Sequence, residues 1–189
     1  SFGRFEFRGI EPVPPTRLVS GRTQWSVGDL DVELIEVGPA HSRGDLVVVV
    51  PEARTAFTGD IVFSGVHPLM WNGPVSRWIA ACETLEAMDL DQVVPGHGPI
   101  GDLSAVRTMR EYWTWLTREA RARHDAGLSS MAAARDLALD RYVGWGEPER
   151  LAASVATLYR EFDGIARIPP MRTSVSRIAA LREELRRRD

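Results

Sequence analysis

Apolar residues recur along this chain first with a period of two and later with a period near 3.6. Gln24 to Val27 and Val32 to Val37 flank Gly28-Asp29, a dipeptide suited to a two-residue hairpin turn. In the second run Val32, Leu34, Ile35 and Val37 alternate imperfectly with Glu33 and Glu36, the pattern of a half-buried strand. Leu46 to Val50 is one leucine and four valines in a row, which predicts a strand covered on both faces. Pro51-Glu52-Ala53-Arg54 then reads as a turn, and Thr55 to Thr58 as the returning strand. Residues 61–74 read as a long apolar loop, a lid or a pocket wall.

Beyond it the helical period takes over. Trp78, Ile79, Cys82 and Leu85 form an apolar stripe on a helix over 75–88. Gln92 to Pro95 is a short buried strand that ends at Gly96-His97-Gly98. A long helix opens at Ser104 and carries Met109, Tyr112, Trp113, Leu116 and Ala120. Further helices follow Ser129-Ser130, span Glu147 to Asp163 with Pro148 in the first turn, and run from Val175 to Arg188. Residues 1–22 contain Pro12, Pro14 and Pro15 and read as a surface loop anchored by Phe2, Phe5 and Phe7. Strands first, then a strand–helix alternation, then helices predict an α/β (α+β) layered fold. The expected organisation is a sheet region over 1–103 and a helical part of the same domain over 104–189.

Composition narrows the setting. The chain has 189 residues, enough for one domain with a sizeable core. Its single cysteine, Cys82, permits no internal disulfide, so a cytoplasmic location is expected. No apolar run approaches the roughly 18–20 residues of a membrane span. The net charge of −3 is divided unevenly: residues 1–103 hold 7 arginines and 14 acids, whereas residues 104–189 hold 16 arginines and 12 acids. An acidic front half suits a cation better than nucleic acid, which ranks last among the partners considered.

Four side chains carry the candidate chemistry. His41 precedes the Leu46–Val50 strand and Asp60 follows the Thr55–Thr58 strand. Antiparallel pairing of those strands brings the two residues to one edge of the sheet. His97, framed by glycines at the end of a later strand, is the third. Imidazole and carboxylate meeting there suit a metal site, an acid–base pair or an ordinary hydrogen bond. Asp45 opens the buried strand and is a candidate for orienting a ligand. In the 61–74 loop His67, Met70 and Trp71 are candidate pocket walls, and Arg43, beside His41, is a candidate for holding an anionic substrate group. His124, in an arginine-rich stretch, reads as a solvated surface residue.

Three pieces in order, Gly38-Pro39-Ala40-His41-Ser42-Arg43-Gly44-Asp45, Phe57-Thr58-Gly59-Asp60 and Val94-Pro95-Gly96-His97-Gly98, resemble the metallo-β-lactamase superfamily of metal-dependent hydrolases. The resemblance implies an αβ/βα sandwich, present in part, with added C-terminal helices like those of the glyoxalase II branch. It implies that His41, Asp60 and His97 are metal ligands, with Asp60 bridging two divalent ions, zinc first, manganese and iron being the other candidates. The implied chemistry is attack by a metal-activated hydroxide on a thioester, lactone or phosphoester. Superfamily members that open β-lactams usually carry cysteine or serine where Asp60 stands.

The superfamily's main signature, His-x-His-x-Asp-His, is not in this sequence, whose histidines are His41, His67, His97 and His124. A catalytic zinc wants three protein ligands and one open position, so His41, Asp60 and His97 amount to about half of a two-metal site. With Ser1 at its start, the chain is expected to be the C-terminal portion of a hydrolase. Activity then requires ligands from an upstream segment or a second chain, as in a homodimer. The competing expectation is a degenerate, non-catalytic module that binds a partner through its aromatic helices.

Overall fold

The computed structural model describes residues 6–187. Strands β1 (Arg22–Val27), β2 (Leu30–Glu36), β3 (Leu46–Val50), β4 (Thr55–Phe63) and β5 (Gln92–His97) form one sheet in sequential order. The first four are antiparallel neighbours, and β5 joins β4 in parallel after a helical crossover. The helices are α1 (Val75–Glu86), α2 (Leu103–Asp125), α3 (Ser130–Leu137), α4 (Leu151–Phe162), entered through a 3-10 turn at Pro148–Arg150, and α5 (Met171–Arg186). No helix among the described residues is long and apolar enough to cross a membrane. The predicted anchors Phe2 and Phe5, and Arg188 at the predicted helix end, lie outside the described residues; Phe7 is exposed.

The local signals act where they were expected. Gly28 takes the positive φ that the β1–β2 turn needs, and Pro51 to Arg54 turns β3 into β4. The Asp102 carboxylate accepts from the Ser104 N–H at the start of α2, and the Ser129 hydroxyl accepts from the Ala132 N–H at the start of α3.

One buried cluster runs from Ile35, Val47, Val49, Ala56 and Val93 in the sheet to Trp78, Cys82, Trp113, Leu158 and Leu181 in the helices. Burial pushes the Cys82 thiol up to about 12, so it behaves as an apolar filler.

Two expectations are corrected. β3 is not covered on both faces: Val47 and Val49 are buried, whereas Leu46 is 39% exposed and Phe57, opposite Val48, is 46% exposed. Val47 and Val49 join the cluster shared with the helices, whereas Val48 and Val50 on the other face are half-buried. The second correction is that β4 does not stop at Thr58 but continues to Phe63 through an irregular register with β5 at Gly59. Asp60 therefore stands within a strand, and only the later part of 61–74 is loop.

Candidate metal centre

His41 sits in the connection between β2 and β3, and the side chain of Asp45 shapes that connection. Its carboxylate accepts from the Ala40 N–H at 2.9 Å, the Ser42 N–H at 3.0 Å and the Ser42 hydroxyl at 2.7 Å. One anion at the mouth of β3 thus folds the loop around its own charge and holds His41 between its two anchor points. Asp45 also raises the His41 pKa, though burial outweighs it and leaves the net shift downward. Asp45→Asn keeps one acceptor oxygen and loses the charge. It is expected to cost about 1 kcal/mol in chemical denaturation, with the fold retained.

Asp60 is presented by β4 and His97 by the end of the parallel strand β5. Gly96 leaves the room that Asp60 and the Gly59 backbone occupy: a Cβ there would lie 2.3 Å from Asp60 Oδ1 and 2.7 Å from the Gly59 carbonyl carbon. Gly98, at φ +88°, turns the chain away while the His97 carbonyl accepts from the Ser64 N–H at 2.9 Å.

The three side chains converge. His41 Nε2 stands 3.3 Å from Asp60 Oδ2, and His97 Nε2 stands 3.4 Å from Asp60 Oδ1. Each imidazole faces its own oxygen of the shared carboxylate. Phe63 meets both rings, stacked on His97 at 4.7 Å and tilted to His41 at 6.1 Å, and Trp78 meets His41 edge-on at 5.8 Å. This apolar wall buries His41, and desolvation pushes its pKa down against the opposing pull of Asp60 and Asp45. A neutral imidazole with a free ring nitrogen is the form that binds a metal. His41 Nδ1 is buried without a well-formed hydrogen bond.

These distances permit a test of fit. Two ligands bound to zinc at about 2.0–2.1 Å in tetrahedral geometry lie about 3.3–3.4 Å apart. Both histidine–carboxylate separations match that edge. The donor set, imidazole and carboxylate, suits zinc, manganese or iron. Because the histidines use different oxygens, no group of three His, Cys, Asp or Glu among the described residues surrounds a single ion. The arrangement fits two neighbouring positions that share Asp60, each with one nitrogen and one oxygen from this chain.

The remaining candidates are placed elsewhere. His67 is fully buried, its Nδ1 2.9 Å from the Tyr112 hydroxyl, inside the helical layer and not on a pocket wall. Trp71 is half-buried. Arg43 is exposed and lines a cavity of about 500 Å³ with Asn72, Arg160 and Glu161. His124 is not freely solvated: its Nε2 is 2.9 Å from Asp163 Oδ1, and that contact raises its pKa. Phe63 and Trp78, which frame the histidines, were read only as loop and core. Phe63 follows Asp60 by three residues, but its role depends on β4 continuing past the glycine.

Residues 5–97 match the model of the Metallo-beta-lactamase superfamily. The alpha subunit of 2,4-dinitroanisole O-demethylase from Nocardioides sp. is 34% identical over 91 residues, 45% of this chain and 26% of that protein. The acyl-coenzyme A thioesterase MBLAC2 of Gallus gallus is 32% identical over 94 residues, 47% of this chain and 33% of its own length. The chain thus spans about a quarter to a third of these curated relatives. Among solved structures, a double mutant of the sec-alkyl sulfatase PisA1 superposes with a TM-score of 0.62 at 12% identity, covering 79% of this chain and 27% of that one. That likeness bears on the fold alone, and it extends from the sheet into the helices. The sheet-bearing region, residues 5–97, is thus similar to the metallo-β-lactamase superfamily, and the described residues carry part of a metallo-β-lactamase-like fold.

Proposed function

We propose that His41, Asp60 and His97 are this chain's share of a two-metal hydrolytic centre acting on a thioester, lactone or phosphoester. The observation that carries the reading is the pair of histidine–carboxylate separations at the edge length of a tetrahedral metal site. Divalent ions held there would supply Lewis acidity and lower the pKa of a bound water.

The chain's own residues do the rest. Burial keeps His41 neutral and able to donate its lone pair, and Asp60 offers one oxygen to each side. Phe63 and Trp78 exclude water from the His41 side of the site, which strengthens its electrostatics. Arg43, which lines the cavity beside the His41 loop, and Trp71 are the proposed substrate contacts. A thioester is the leading substrate class, supported by the match to a relative named as an acyl-coenzyme A thioesterase. The remaining ligands come from an upstream segment or a second copy, because two donors per ion fall short of the three that a catalytic zinc wants.

The shortfall in donors also motivates the competing reading, a non-catalytic module. Titration calorimetry with Zn²⁺ and Mn²⁺ separates the two. The chain is expected to bind metal, with His97→Ala and Asp60→Ala each weakening binding at least about tenfold. Affinity unchanged in both variants, or no binding at all, sinks the hydrolase reading.

A further inference from the structure

The helical layer holds a second charged site that the hydrolase reading does not use. α4, the segment after it and α5 enclose a cavity of about 450 Å³. Three arginines line it: Arg160 on α4, Arg167 on the connecting segment and Arg177 on α5. None of the three has a carboxylate within ion-pair distance among the described residues. Most arginines elsewhere in the helical layer do, including Arg110 with Glu86, Arg123 with Asp136 and Arg182 with Glu149. The acid in the lining, Asp163, is already engaged by His124.

Two of the guanidinium groups are held but underused, while Arg167 is exposed. Arg160 donates to the Arg167 carbonyl at 3.0 Å and to the Thr157 hydroxyl at 3.4 Å. Arg177 donates to the Ser130 hydroxyl at 3.4 Å. Each guanidinium has five N–H donors, so most remain available in a fixed fork. Burial lowers the Arg160 pKa; Glu161 opposes it, and the nearby Arg177 adds a smaller push downward. An anion entering the cavity would meet three guanidinium groups that no carboxylate among the described residues pairs.

We propose that the cavity between α4 and α5 binds the phosphate group of an organic phosphate. Three forks around one pocket suit a phosphomonoester, with about −1.5 to −2 charge at neutral pH and three acceptor oxygens, better than a carboxylate with one charge. Arg160 also lines the neighbouring cavity, which reaches Pro39 and Arg43 beside His41. If the metal reading holds, the phosphate belongs to the tail of the substrate. Only that assignment rests on the hydrolase reading; the binding does not.

The test uses the full 189-residue chain in chelator, so that metal chemistry plays no part. Inorganic phosphate and pyrophosphate are titrated by calorimetry at low and moderate salt. Saturable binding is expected, with pyrophosphate tighter than phosphate and both weakened by salt. Arg160→Gln and Arg177→Gln should each weaken binding about ten- to a hundredfold. Arg177→Lys should keep part of it, and Arg118→Gln, at an arginine paired with Glu119, should leave it unchanged. Circular dichroism confirms that each variant is folded. No saturable binding of either anion, or binding that both glutamine variants retain, overturns the proposal.

Discussion

Gly96→Ala is expected to destabilise the chain by about 1–3 kcal/mol, the usual range for overpacking, and to weaken metal binding about a hundredfold or more. The added Cβ meets Asp60 Oδ1 at 2.3 Å and the Gly59 backbone at 2.7 and 2.8 Å. The carboxylate could swing aside, but the Gly59 backbone cannot: it is strand, held at φ +50° and flanked by the irregular β4–β5 register. Relief therefore requires β5 to move away from β4, which carries His97 away from Asp60. The stability loss and the binding loss share one cause. Gly44→Ala is the matched control, since a Cβ there meets nothing within 4 Å although Gly44 lies in the His41 loop. Denaturation and Zn²⁺ titration of both variants check this. A Gly96→Ala chain with native affinity would mean that Asp60 and His97 need not keep their present spacing, and would remove the main geometric support for a shared ligand.

The same glycine shows where the sequence could be read and where it could not. That His97 needed close backbone approach was legible, because glycines frame it. That it would meet Asp60, 37 positions earlier, was legible too; that Asp60 stands inside β4 was not, because the strand is expected to end at Thr58. Gly59-Asp60 looks like a chain reversal by local propensity. In the fold it is a strand irregularity tolerated because β5 lies against it. The hairpin at Gly28-Asp29 and the helix start at Ser129 were legible because a cap or a positive φ is a property of a few neighbouring residues; α2 opens at Leu103, one residue before the expected Ser104, with Asp102 as its cap. The valine run of β3 was misjudged on burial, since five apolar residues in a row do not reveal which face a partner covers.

Long-range pairing accounts for the remaining differences. His124 read as surface because Asp163, its partner, is 39 residues away. Arg160 and Arg177 fall on different helices, so no local pattern announces that they share a cavity. The convergence of His41, Asp60 and His97 was nevertheless expected, because two paired strands and a strand-end histidine are enough to place three loop-proximal residues at one edge. Strand pairing carries chemistry across sequence distance in a way that helix packing does not announce.

His67 is expected to make stability steeply dependent on acid. Its ring is fully buried, Nδ1 lies 2.9 Å from the Tyr112 hydroxyl, and Nε2 is buried without a well-formed hydrogen bond. Desolvation pushes its pKa down to about 4, with the Arg150 charge adding to the drop, while the Tyr142 backbone and Glu149 oppose it. In the unfolded chain the imidazole titrates near 6.5. As pH falls below 6.5 the unfolded state takes up the proton first, so the stability present at neutral pH is lost on the way down to pH 4. With 1.36 kcal/mol per pKa unit, the loss from this residue reaches about 3 kcal/mol at pH 4, a large fraction of the roughly 5–15 kcal/mol of an ordinary domain. The experiment is urea denaturation at pH 7.5 and pH 4 for the native chain and for His67→Gln, which cannot protonate. The variant should lose about 3 kcal/mol less than the native chain across that interval. It should still slope downward, because burial lowers the His41 pKa in the same direction. Equal slopes would mean that His67 accepts a proton in place, which requires a well-formed hydrogen bond at Nε2 and a wetter helical layer than the one Tyr112, Trp145 and Tyr142 enclose.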